Sequence, residues 1–226
     1  MDVREHIIAE RAELVDLLRS LSPEQWTTPS LCAGWSVRDV AGHLAIDAVP
    51  LHRYVLSGFR NPSADRLNAH YVVAARSIPL DRLVERLSVS ASSSWMTRFF
   101  PRLALADHLV HQQDIRRPLG LQRSIDADRL RLVLDRPDPF ARPGRFVEGL
   151  RLVATDLPWE KGTGPVVRGS GEALALVTVG RAAVLDELDG DGVALLRDRL
   201  VCLSGPSGGH KGTPVAKPPV RGSSDC

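Results

Sequence analysis

Leu103-Ala104-Leu105-Ala106-Asp107-His108-Leu109-Val110-His111-Gln112-Gln113-Asp114-Ile115 is the stretch on which the fold turns. Its apolar residues return at steps of three and four, the repeat of a helix with a buried face. Residues four apart stand above one another on a helix, so Asp107, His111 and, a turn further, Asp114 share a stripe. A carboxylate and an imidazole placed this way make half of a metal site. The other half has to come from a second helix, and Trp35-Ser36-Val37-Arg38-Asp39-Val40-Ala41-Gly42-His43-Leu44 offers it. The resulting reading is a helical bundle in which His43, Asp107 and His111 hold one divalent ion.

The 226 residues can hold one good-sized domain, or a bundle with a small appendage. Apolar residues make up 43%, enough for a core, yet no apolar run approaches the length of a bilayer span. A membrane is therefore not expected as a partner. A net charge of +2 without any clustered Lys/Arg run argues against nucleic acid. Met1 to His6 carries mixed charge ahead of an amphipathic pattern, so neither a secretory nor a transit signal is expected. Cys32, Cys202 and Cys226 are far apart and lack metal-ligand spacing, which suits a reducing cytosol. The expectation is a cytoplasmic protein, monomer or homodimer, whose partners are small molecules.

Outward from the central stretch, residues 2–21 space Val3, Ile7, Leu14, Leu18 and Leu21 as an amphipathic helix stopped near Ser22-Pro23. Residues 22–35 read as a loop anchored by Trp26 and Trp35. Ser36 with Asp39 approximates a capping box, opening a second helix towards Gly58 that Pro50 should kink. Further helices fit Ala64–Arg76 and the run after Pro79, the latter weakened by the Ser-rich stretch 88–94. Pro101 opens the central helix, Pro118 and Gly120 close it, and Asp126 starts a short helix through Leu134. From Phe146 the pattern changes. Residues 150–155 and 166–168 read as strands joined by turn residues 160–165, followed by helices over 171–188 and 192–200. This divides the chain into a bundle over 1–136, a small α+β unit over 137–203 and a Gly/Pro-rich disordered tail over 204–226.

The candidate residues also have plainer readings. Asp107 and His111 can be an ordinary helix pair, and His43 a hydrogen-bonded core histidine. His108 lies three before His111, so His43, His108 and His111 form a rival triad. Asp114 can orient a ligand imidazole from behind, or pair near the helix end with Arg116 or Arg117. Asp47, four after His43, poses the same choice and leans structural. Arg116 and Arg117 can bind an anionic substrate or answer the helix dipole. Cys32 precedes a helix N-terminus, which can lower a thiol pKa, but a single cysteine in an apolar loop usually packs. Gly162, Gly164 and Asp189-Gly190-Asp191-Gly192 are turns rather than a phosphate loop.

Trp26, PSLCAGWSVRDVAGHL (29–44), DHLVHQQDIRRPLG (107–120), LRLVATDLPWEKGTGPVVRGSGEALALVTVGR (150–181) and LDGDGV (188–193) together resemble the mycothiol-dependent maleylpyruvate isomerase family. The resemblance implies a mainly α fold, a DinB-like four-helix bundle with a small C-terminal α+β appendage. It implies a divalent metal, zinc first, on His43, Asp107 and His111, with mycothiol as co-substrate and Arg181 as a catalytic residue. Two histidines and a carboxylate leave one tetrahedral position open, the pattern of a catalytic zinc. The implied reaction is thiol-dependent isomerisation or S-transfer on a small electrophilic or unsaturated substrate.

The sequence departs from the family at 107, where Asp stands in place of Glu. The shorter arm requires the helix to shift inward, a bridging water, or loss of the ion. A non-catalytic bundle with a degenerate metal site, binding a small molecule or partner, is therefore the alternative.

Overall fold

The computed structural model of the protein describes residues 2–61 and 63–204, which are mainly helical with one small sheet. The expected disordered tail, from residue 205 onward, lies outside the described residues.

Helix α1 (Val3–Ser20) starts at a capping box formed by Asp2 and Glu5 and buries Ile7, Leu14, Val15 and Leu18. Residues 22–35 are not all loop. Ser22 accepts from the Gln25 backbone, Gln25 reciprocates, and Pro23 opens a one-turn helix α2 (Pro23–Thr27) that buries Trp26. Ser36 and Asp39 cap α3 (Val37–Leu44) in the expected way. Pro50 then does more than kink the chain. Helix α3 gives way to a 3-10 turn over Ala45–Ala48, and α4 (Leu51–Arg60) begins afresh at Pro50, whose ring cannot continue a helix from upstream.

Helix α5 (Ala64–Ala75) follows, then α6 (Leu80–Ser93), which continues through the serine run that should have weakened it. There the Ser90 and Ser93 hydroxyls donate back to the carbonyls of Leu87 and Val89. A short α7 (Trp95–Phe99) leads into α8 (Pro101–Arg116), and α9 (Ala127–Asp135) is capped by Asp126.

Helices α1, α3, α6 and α8 close a four-membered ring in which α1 and α3 each touch α6 and α8. Helix α5 lies against α3 over Gly42, where an added Cβ would sit 2.7 Å from the Ala75 Cβ. Glycine is required for this approach, and it fixes α5 beside the turn that carries His43. Gly42→Val is expected to destabilise the fold by about 1–3 kcal/mol through overpacking, read as a lowered midpoint in denaturant. An unchanged midpoint would mean that α5 does not rest on that position.

After a turn of helix α10 (Gly144–Val147), the sheet has three strands rather than two: β1 (Arg151–Ala154), β2 (Glu160–Gly162) and β3 (Val166–Gly169). The order is β2-β1-β3. Leu152 faces Lys161 across the antiparallel pair and Val167 across the parallel pair. Part of the expected turn is thus an edge strand. Its Glu160 and Lys161 are exposed and charged, a composition that hides a strand from an alternation test.

The expected helix over 171–188 also breaks, into α11 (Gly171–Thr178) and a 3-10 turn over Ala182–Glu187. Gly180 has φ +88° and donates to the Val177 carbonyl, while Arg181 donates to that of Leu176. That pairing is a Schellman cap, which needs a residue tolerant of positive φ. The described chain closes with α12 (Val193–Ser204).

The appendage changes what surrounds α8. A single buried face was expected, but Ala104, Leu105, Ala106, His108, Leu109, Val110, Gln112, Gln113, Asp114 and Ile115 are all buried, leaving within 103–115 only the stripe of Leu103, Asp107 and His111 half-buried. Ile7 of α1, residues 104–110 of α8, α9, the sheet and α11 share one apolar core, and a second core lies among α1, α3, α5 and α6. Arg117 joins the two parts by ion pairs to Glu172 and Glu187, and Arg116 donates to Gln112. Both arginines have structural partners.

Candidate metal centre

His43 is on the last turn of α3, and Asp107 and His111 are a turn apart on α8. Asp107 Oδ1 stands 3.4 Å from His43 Nε2 and 3.4 Å from His111 Nε2. All three ligand atoms lie within 4.8 Å of one another. A charged N–H···O bond contracts to about 2.7–2.9 Å, so these contacts are long for ion pairs. Zinc bonds of about 2.0–2.2 Å at tetrahedral angles separate neighbouring ligands by about 3.4 Å. The residues present therefore fit a shared divalent ion, Asp in place of Glu included. The cluster is half sheltered, with side-chain exposures of 12% for His43, 26% for Asp107 and 13% for His111. Burial pushes the Asp107 carboxyl up, but the charges of His43 and His111 outweigh it and hold the group well below its ordinary value.

The second nitrogen of His111 is fixed from behind. Its Nδ1 lies 2.8 Å from Asp114 Oδ2, and the Asp114 side chain is fully buried. A ligand imidazole commonly gives its other N–H to a carboxylate, which sets tautomer and orientation. Asp114 is gripped in turn by Arg181, whose Nε donates to Oδ1 at 2.9 Å and Nη2 to Oδ2 at 2.7 Å. Burial raises the Asp114 carboxyl, yet Arg181 and His111 outweigh it and keep it ionised. Arg181 thus reaches the site through Asp114, and the Schellman cap at Gly180 is what turns it there.

Cys32 is not merely packing. Its Sγ donates to Asp114 Oδ2 at 3.1 Å, lies 3.5 Å from His111 Nδ1, and accepts from Arg181 Nη2 at 3.4 Å. Cys32, His111 and Asp114 also converge closely enough to hold an ion. The Arg181 guanidinium already neutralises Asp114 there, however, so a second cation would have to displace it. Charge favours the first triad.

The rival triad does not assemble. His108 is buried at 1% exposure, gives Nδ1–H to the Ala104 carbonyl at 2.9 Å and accepts from Arg11 Nε at 3.2 Å. Burial and the Arg11 charge press its pKa down to about 3, so it stays neutral. Arg11 also contacts Asp47, Thr97 and the carbonyls of Ser90 and Ala91, tying α1, α6 and the 3-10 turn together. Asp47 is structural in this sense, with burial pushing its carboxyl up to about 7 against the pull of Arg11.

Two neighbours are not legible in the sequence as part of the site, where Trp35 reads only as a loop anchor. The Trp35 ring lies 5.5 Å from His43 and 6.4 Å from His111, shielding both imidazoles on one side. Its place directly before the capping box of α3 was the available signal. Asp138 approaches from the segment before α10; burial raises its carboxyl, and the charge of Asp107 adds to the rise. Nothing in the sequence pattern pointed to it.

Residues 8–92 match the family model for the mycothiol maleylpyruvate isomerase N-terminal domain. The structure is similar to a crystal structure of a histidine-to-alanine mutant of the mycothiol-dependent maleylpyruvate isomerase. The TM-score is 0.57 at 15% identity, over 84% of this chain and 93% of that one. It is also similar to a crystal structure of the mycothiol-dependent maleylpyruvate isomerase, with TM-score 0.50 at 15% identity and the same coverage. At this identity the likeness is one of fold. No curated protein matches the chain. Residues 8–92 thus match the model of the mycothiol maleylpyruvate isomerase N-terminal domain, and the chain shares the fold of the mycothiol-dependent maleylpyruvate isomerase crystal structures.

Proposed function

We propose that the protein is a metal- and thiol-dependent isomerase or S-transferase acting on a small electrophilic or unsaturated acid. The carrying observation is the pair of 3.4 Å separations from Asp107 Oδ1 to the two imidazoles, long for a hydrogen bond and suited to a shared ion. His43, Asp107 and His111 would hold it, zinc being the ion this donor set suits best. Bound there, the ion would favour the thiolate of a low-molecular-weight thiol at neutral pH, mycothiol by analogy with the family.

The chain's own residues do the rest. Asp114 holds the His111 ring in one tautomer, Arg181 holds Asp114, and Trp35 keeps water from one face of the pair. Arg181 is on this reading a positioning residue, since its Nε and Nη2 donate to Asp114 and Cys32 and its Nη1 to the Val179 carbonyl. The division into a bundle over 1–136 and an α+β unit over 137–203, and a cytoplasmic location, belong to the same proposal. No helix among the described residues is long and apolar enough to cross a membrane.

Metal content tests the proposal. Protein purified without a His-tag is expected to carry about one zinc per chain, and less than about a tenth would favour the non-catalytic bundle instead.

A pH dependence follows. Burial lowers the His111 pKa, but Cys32, Asp107 and Asp114 outweigh it and raise it well above 6.5, so metal-free His111 is protonated at neutral pH. Zinc must displace that proton. Zinc affinity is therefore expected to rise on the order of tenfold per pH unit until the metal-free His111 titrates, with about one proton released per ion. Competition titrations at pH 6, 7 and 8 check this, and a flat profile would contradict it.

A further inference from the structure

An acid substrate needs hydrogen-bond donors, and Arg181 is engaged with Asp114, Cys32 and the Val179 carbonyl. Two tyrosines on α4 and α5 offer other donors, and one of them has a buried hydroxyl without a partner among the described residues. Tyr54 on α4 and Tyr71 on α5 stack nearly parallel, with ring centroids 6.2 Å apart and planes inclined by 10°. The Tyr71 hydroxyl is buried and has no hydrogen-bond partner among the described residues. Leaving such a group unpaired costs free energy, so its retention asks for a ligand.

Placement favours the metal site. Helix α5 sits on Gly42, one residue before His43, and carries Tyr71 beside Val72, which packs at that crossing. The Tyr54 ring rests on Trp95 at 5.0 Å, and Trp95 is pinned by its Nε1–H to the Val49 carbonyl at 3.1 Å. The Tyr54 phenol lies within electrostatic reach of Tyr71, Asp47 and Asp107. Asp47 is in direct contact with Arg11, and Asp107 would face the metal.

We propose that the hydroxyls of Tyr54 and Tyr71 form a donor pair beside the metal triad that holds a carboxylate oxygen of the substrate. This inference rests on the reading above for the identity of the substrate as an acid. It assigns to two phenols the carboxylate-steadying role that the sequence suggested for an arginine. Because the phenols are neutral, they select an acceptor by geometry and do not compete with the ligands for the ion.

The test is calorimetric titration of maleate, an unsaturated dicarboxylate, into wild type, Tyr71→Phe and Tyr54→Phe, with and without zinc. Either substitution is expected to weaken maleate binding roughly ten- to hundredfold. Zinc content should not change. The unfolding midpoint of Tyr71→Phe should be unchanged or raised, because the ring remains and an unpaired buried hydroxyl is gone. Equal maleate affinity in wild type and Tyr71→Phe would overturn the inference, as would no maleate binding by wild type. A lowered midpoint in Tyr71→Phe would mean that the hydroxyl has an internal partner, and would overturn it too. Absence of zinc from wild type would instead strike the metal reading, while the maleate comparison on metal-free protein would still decide the role of the tyrosines.

Discussion

His111→Ala is expected to leave the protein folded and almost free of metal. The substitution removes one of three ligands, while Asp114 keeps its two hydrogen bonds from Arg181 and stays neutralised. The remaining His43 and Asp107 make a two-donor site. Loss of an outer partner of a ligand costs about ten- to a hundredfold in metal affinity, and loss of the ligand itself should exceed that. Elemental analysis is expected to find less than about a tenth of an equivalent of zinc, with an unchanged far-ultraviolet helix signal. Retention of zinc would mean that the triad is misassigned.

Arg181→Met should have the largest effect on stability. Asp114 is completely buried, and among the described residues the guanidinium is its only cationic partner apart from the His111 ring. Removing one member of a buried pair leaves an uncompensated charge, at a cost of about 3–5 kcal/mol. For a chain of this size that corresponds to a fall in melting temperature of roughly 6–20 °C. The same variant should bind zinc about ten- to a hundredfold more weakly, because the His111 tautomer is no longer fixed. Arg181→Lys should recover only part of the loss, since an ammonium cannot form the two-pronged contact. The double variant Arg181→Met/Asp114→Asn separates pairing from packing. It should be more stable than Arg181→Met alone, and a strictly additive result would contradict the coupling.

Local signals in the chain carried the helices and the triad. Pro101, the three- and four-residue steps from Leu103 to Ile115, and the Ser36–Asp39 capping box depend on neighbours within a few residues. The i, i+4 spacing of Asp107 and His111 is likewise local. What the local pattern left open depends on distant partners. Arg181 lies 67 positions from Asp114, and its role follows from which way a Schellman cap turns the chain. Cys32 looked like packing because nothing near it in the sequence announces His111, Asp114 and Arg181 on three sides. His108 offered the spacing of a ligand, but Arg11 arrives from a helix 97 residues earlier and takes its free nitrogen. The strand over Glu160–Gly162 exists because β1 provides an edge, and its own side chains are those of a turn. Helix α8 reads as amphipathic in isolation. Its buried polar groups become intelligible only in the fold, Gln112 against Glu10 of α1 and Asp114 against Arg181 of the α+β unit that covers its second face.

X-ray absorption at the zinc edge on zinc-loaded, thiol-free protein tests the central claim most directly. The expected spectrum shows two imidazoles and oxygen donors at about 2.0–2.2 Å, with no sulfur until a thiol is added. A sulfur at about 2.3 Å in the thiol-free sample, lost in Cys32→Ser, would place the ion at Cys32, His111 and Asp114 and contradict the account.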